Sequence, residues 1–176
     1  MVASGALNQR DRFHLINGIL VAKMTKKPPH VIACERVRDA VMGIALPEWR
    51  VTTDAPIRIP AYNEPEPDVA VVKGSAEGEE LEVRHPEPAD VGLIVEVADT
   101  SLSEDREVVH VYGAAGIPIS WIVDLVERQV EVYSDPGAGG YQTRQDFTLG
   151  QIVPIVIDGC ELGGIAVSDI LPRRRP

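Results

Sequence analysis

Hydrophobic and polar positions change their period several times along this chain, and each change predicts an element. Two short apolar runs, Arg12 to Ile16 and Ile19 to Ala22, flank Asn17-Gly18. That dipeptide suits a tight hairpin turn, because both central positions of a type I′ turn need positive φ. Pro28-Pro29 then opens a helix that runs to about Leu46 and ends at Pro47. Its apolar stripe is Val31, Cys34, Val37, Val41 and Ile44, at spacings of three and four. Short apolar runs predict strands at Trp49 to Thr53, Ile57 to Ile59 and Asp68 to Val72. The polar, proline-bearing stretch Glu77 to Pro88 reads as a loop. Val91 to Val97 is the most apolar stretch, which predicts a central strand buried on both faces. A helix capped by Ser103 follows to Ala115, ended by Gly116 and Pro118. Further strands are expected at Ile119 to Leu125, Gln129 to Tyr133, Tyr141 to Phe147 and Ile152 to Ile157. Gly137 to Gly140 reads as a flexible link and Ser168 to Leu171 as a closing turn.

The order places one strand-helix-strand unit between antiparallel pairs. That predicts an α/β (α+β) fold with a mixed sheet flanked by helices, not a doubly wound one. The 176 residues suit a single domain over 1–176, with loose termini at 1–11 and 172–176. Gly and Pro number 15 and 14, which favours many turns over a helical bundle. The net charge of −10 argues against binding nucleic acid or anionic membrane through bulk positive field, though it leaves room for a local basic cleft. Arg173-Arg174-Arg175 reads as a solvated tail. Cys34 and Cys160 cannot build a disulfide framework and point to free thiols in a reducing cytoplasm. The apolar runs are too short for a membrane span, and the first residues lack the apolar core of a secretion signal.

Several kinds of chemistry leave no trace. There is no glycine-rich phosphate loop, no GxSxG elbow, and no HxxxH or CxxC pairing to hold zinc. What stands out is acid on apolar strands. Asp68 opens one strand, and Glu96 sits inside the most hydrophobic one. A carboxylate buried there without compensation costs several kcal/mol, so a cation, a hydrogen-bond network or a metal must offset it. Carboxylates on adjacent strands can hold Mg²⁺, which takes few protein oxygens and keeps its waters.

The run Glu66-Pro67-Asp68-Val69-Ala70-Val71-Val72, then Leu93-Ile94-Val95-Glu96-Val97, resembles the Uma-two family of endonucleases. So do Ser101-Leu102-Ser103, Asp105-Arg106, and Tyr112 to Pro118 running into Trp121-Ile122-Val123-Asp124. The resemblance spans Arg12 to Leu171 and implies a restriction-endonuclease-like PD-(D/E)xK fold. It further implies a bacterial, cytoplasmic DNA endonuclease using Mg²⁺ or Mn²⁺, with Asp68 and Glu96 as metal ligands and a homodimeric assembly.

The chain departs from the pattern at informative places. The fold's lysine, two residues after the second acid, is Ala98. The family's alternative lysine, on the following helix, is replaced by Val108 or Val109. In the first hairpin, His14 and Asn17 stand where the family carries acids. The lysine positions the attacking water and offsets charge on the phosphate. Candidates for its work are Arg106 on the same helix, Lys73 beyond the Asp68 strand, and His14 or His110 as proton carriers. A His14 turned inward favours Mn²⁺ over Mg²⁺. Two readings stay open: a metal-dependent DNase with a weakened site, or an inactive nuclease fold serving as a binding or assembly module.

Overall fold

The computed structural model describes residues 13–22, 25–44, 48–74 and 83–173. Strands β1 (Phe13–Ile16) and β2 (Ile19–Ala22) form the expected hairpin. Asn17 and Gly18 both take positive φ, as the turn requires. Helix α1 (Pro28–Met42) follows. A six-stranded sheet comes next, in the order β3 (Trp49–Thr52), β4 (Val69–Lys73), β5 (Val91–Ala98), β6 (Ser120–Asp124), β7 (Gln129–Gly137) and β8 (Gly140–Thr148). Only β5 and β6 pair in parallel, and helix α2 (Leu102–Ala114) is their crossover. A separate ribbon, β9 (Ile152–Ile157) with β10 (Cys160–Ala166), precedes the short helix α3 (Val167–Ile170). This is the mixed α+β architecture that the sequence predicts, a six-stranded sheet flanked by helices.

Strand alternation divides the core into two layers. Val69, Val71, Leu93, Val95, Val97, Trp121 and Val123 pack with α1, the ribbon and α3 on one face. Ala70, Val72, Ile94, Ala98 and Ile122 pack with α2 on the other. Both faces of β5 are buried, so its side chains are apolar on both sides except at Glu96. By the same period of two, Glu96 shares the α2 face with Ile94 and Ala98.

Several elements differ from expectation. Helix α1 ends at Met42 with Gly43 as its cap; residues 45–47 of the expected continuation lie outside the described residues. Its buried positions are Ala33, Val37 and Val41, whereas Val31 is 38 % exposed and Cys34 only partly buried. The stripe is rotated because the first turns of α1 face a polar site. Helix α2 starts at Leu102, with Ser101 rather than Ser103 at its cap position. Ile57 to Ile59 makes no strand. Pro56 and Pro60 flank it, and its N–H groups go singly to Pro65, Pro86 and Asn63. The Gly137–Gly140 link closes the β7–β8 ladder as a tight turn. The sequence also concealed β10, whose Gly163-Gly164 and exposed positions break the alternation. Most of the predicted 77–88 loop lies outside the described residues, as do residues 1–12 and 174–176.

Candidate active site

Continuing the β4–β5 register by one residue, past Val69 opposite Val95, brings Asp68 opposite Glu96. The two acids interlock through the main chain. The Asp68 N–H donates to Glu96 Oε2 (3.2 Å), and the Val97 N–H donates to Asp68 Oδ2 (2.9 Å). Both residues are buried, at 7 % and 8 % exposure. From α2, the Tyr112 hydroxyl donates to Glu96 Oε1 (2.6 Å). Asp105, two turns before Tyr112 near the start of α2, accepts from the Ser101 hydroxyl (2.7 Å).

The first turn of α1 closes the site from the other layer. Lys26, just before the helix, places Nζ 2.7 Å from Asp68 Oδ1 and 2.8 Å from Asp54 Oδ1. His30 Nε2 lies 3.1 Å from the same Asp68 oxygen. Cys34 follows His30 by one helical turn, and one ligating atom each from His30, Cys34 and Asp68 lie within 4.8 Å of one another.

These contacts set the charges. Burial drives the Asp68 carboxyl up, but His30 and Lys26 outweigh it and hold it at about 2. Asp68 is therefore an anion across the physiological range. Burial, then the charges of Asp68 and Asp105, push Glu96 well above the usual carboxyl range. Burial also raises Asp105 to about 6; the Ser101 hydrogen bond resists this and the Asp68 charge adds to it. The negative charges of Asp68 and Asp105 thus add to burial in keeping the Glu96 carboxyl raised. Among the described residues, the donor group close enough to hold an ion is His30, Cys34 and Asp68.

Not every candidate residue meets these acids. Arg106 turns to β7, where its guanidinium binds Glu131 (Nε–Oε2 3.1 Å, Nη2–Oε1 2.5 Å). Glu131 also receives Arg144 (2.9 Å) and the Tyr133 hydroxyl (2.5 Å). Lys73, at the far end of β4, lies over the Trp49 ring, 5.6 Å from its centroid. His14 stands on β1 opposite Val21, and the imidazole beside Asp68 is that of His30. His110 packs against Gly140 at the β7–β8 turn. Val109 is a core residue under α2, and Val108 packs partly against the same core.

Sequence reasoning missed Lys26, His30, Asp105 and Tyr112 as site residues. One signal was available for two of the α1 side chains: His30 and Cys34, four residues apart, share a helix face.

Comparisons with known proteins bear on the family and the fold. No curated protein matches the chain. Among solved structures, it is similar to one titled a putative nuclease belonging to DUF820 from Anabaena variabilis ATCC 29413. The TM-score is 0.74 at 16 % identity, covering 96 % of this chain and 94 % of that one. At that identity the likeness establishes a shared fold. The family described as "Putative restriction endonuclease", Uma2, matches residues 3–163. With its motifs on the strands and helix that surround Asp68 and Glu96, the chain belongs to the Uma2 family of nuclease-fold proteins.

Proposed function

We propose that this protein is a divalent-metal-dependent phosphodiester hydrolase acting on DNA. In this reading Asp68 and Glu96 are the metal ligands and Asp105 is an added acid at the rim. Lys26 does the work of the lysine missing from the second motif and from α2. The observation that carries the reading is the Lys26 ammonium 2.7 Å from Asp68, beside the Asp68–Glu96 pair. Mg²⁺ or Mn²⁺ bound there supplies Lewis acidity toward a phosphate oxygen and a bound water of lowered pKa. The chain's own groups do the rest. Lys26 offsets negative charge developing on the phosphate, and Asp68, ionised at neutral pH, holds the ammonium in place. Tyr112 fixes the Glu96 carboxyl by its hydrogen bond and keeps that end of the site dry. Arg106 and His14 have no part in this assignment.

One observation favours a second reading, an inactive fold used for binding. Asp68 Oδ1 already meets both Lys26 and His30, and both Glu96 oxygens accept hydrogen bonds. One experiment separates the two. Supercoiled plasmid is incubated with the protein and Mg²⁺ or Mn²⁺. The hydrolase reading expects nicking that a chelator stops, that Glu96→Gln abolishes and that Lys26→Met slows by roughly 10²- to 10³-fold. Mn²⁺ should support the faster reaction, because His30 offers imidazole at Asp68. Intact plasmid with either ion, from protein with a folded circular-dichroism spectrum, establishes the second reading.

A further inference from the structure

We propose that His30, Cys34 and Asp68 form a binding site for a thiophilic divalent ion of the Zn²⁺ class. The three come from two rigid, core-packed elements. His30 and Cys34 lie on one face of α1 a single turn apart, where Ala33, Val37 and Val41 anchor the helix. Asp68 closes the group from the start of β4, with the ligating atoms within 4.8 Å of one another. The Val97 N–H holds Asp68 Oδ2 at 2.9 Å and leaves Oδ1 facing the imidazole. Such an outer hydrogen bond orients a carboxylate ligand.

The donor set selects the ion. Imidazole, thiolate and carboxylate together suit Zn²⁺ or Co²⁺, whereas Mg²⁺ takes oxygen ligands and avoids sulfur. Three protein donors leave a further coordination position for water. Binding requires the Cys34 thiol to lose its proton to solvent, so uptake releases one proton from that group. Lys26 Nζ lies 2.7 Å from the same Asp68 Oδ1, so a dication there competes with the ammonium for that oxygen. If the hydrolase reading is right, Zn²⁺ is an inhibitor that takes one ligand of the catalytic metal. The binding claim itself does not depend on that reading.

The test uses absorption spectroscopy and not activity. Cys160 is the only other cysteine and is exposed, so Cys160→Ser serves as the background. Titrating Co²⁺ into this reduced protein should raise a thiolate-to-cobalt charge-transfer band that Zn²⁺ bleaches and excess Mg²⁺ does not. Adding Cys34→Ser should abolish the band. His30→Gln should weaken Co²⁺ binding by more than about tenfold, since even outer partners of a ligand matter that much. No band in the Cys160→Ser protein, or a band that survives Cys34→Ser, overturns the proposal. Should Cys34→Ser not fold, zinc X-ray absorption of the loaded Cys160→Ser protein decides. A shell containing sulfur and imidazole nitrogen supports the site, and a shell of oxygen alone overturns it. Plasmid cleavage failing while the cobalt band forms would refute the hydrolase and leave this site standing.

Discussion

The ammonium at the acid pair comes from Lys26, 42 positions before Asp68, and not from the helix where valines stand in its place. In the proposed hydrolase reading Lys26 takes over the lysine's work, and the packing of the valines says what replacing them would do. Val109 is 1 % exposed beneath α2, so Val109→Lys would bury an ammonium among apolar side chains. The expected result is a loss of several kcal/mol in chemical denaturation and no gain in plasmid cleavage. Arg106 likewise has a structural task. With Arg144 it neutralises Glu131, whose side chain is fully buried. Burial raises the Glu131 carboxyl, but hydrogen bonds from Arg106 and Tyr133 outweigh it and leave it lowered. A lowered carboxyl contributes stability above its unfolded value, near 4.5, and loses it as pH falls below. Replacing both arginines by methionine leaves the carboxylate buried and unpaired. That should cost about 3–5 kcal/mol at pH 7, and the deficit should shrink as pH falls, because burial without the arginines raises the carboxyl and the variant's Glu131 takes up a proton before the wild type's does. Denaturation curves at pH 4 and pH 7 check both statements.

At the scale of elements, α2 is held by close approach as much as by burial. A Cβ on Gly113 would meet the Tyr141 backbone nitrogen at 2.6 Å and the Gly140 carbonyl carbon at 2.8 Å. Backbone cannot rotate aside, so the β7–β8 turn would have to move. Gly113→Ala gains up to about 1 kcal/mol of helix propensity but incurs an overpacking cost of about 1–3 kcal/mol. The expected net effect is destabilisation, read as a lower denaturation midpoint. Because Tyr112 is the neighbouring residue, the shift should also loosen the Glu96 hydrogen bond. The element predictions held where apolar period and length agreed. β5 ends one residue beyond its predicted end, α2 is capped two residues earlier than predicted, and β4 is shifted by one residue, so that it spans Val69–Lys73 and Asp68 stands just before it. They failed where neighbours decided the outcome. The α1 stripe turned to seat His30 and Cys34 at the acids, and β10 exists because β9 offers it a partner.

For the whole molecule the net charge is −10, and at one place the charges of Asp68 and Asp105 help to raise the Glu96 carboxyl. A dication should therefore stabilise the fold. At about 100 times its dissociation constant, Mn²⁺ is expected to add roughly 2.7 kcal/mol, visible as a rise in Tm. Asp68→Asn should remove that rise while leaving a folded protein, because the amide keeps the shape and can still accept from the Val97 N–H. No helix among the described residues is long and apolar enough to cross a membrane.

By itself the sequence determined the mixed sheet, its central strand and the presence of acids at Asp68 and Glu96 on apolar strands. The elements follow from periodicity, which acts between residues close in sequence, whereas the register that sets Asp68 opposite Glu96 belongs to the paired strands. Only the tertiary structure decided what surrounds the acids. Lys26 and His30 are separated from Asp68 by 42 and 38 positions, and no local propensity links them. Their meeting depends on α1 packing across the sheet so that its first turn ends at the mouth of β4. That placement follows from burying Ala33, Val37 and Val41, a global consequence of core packing.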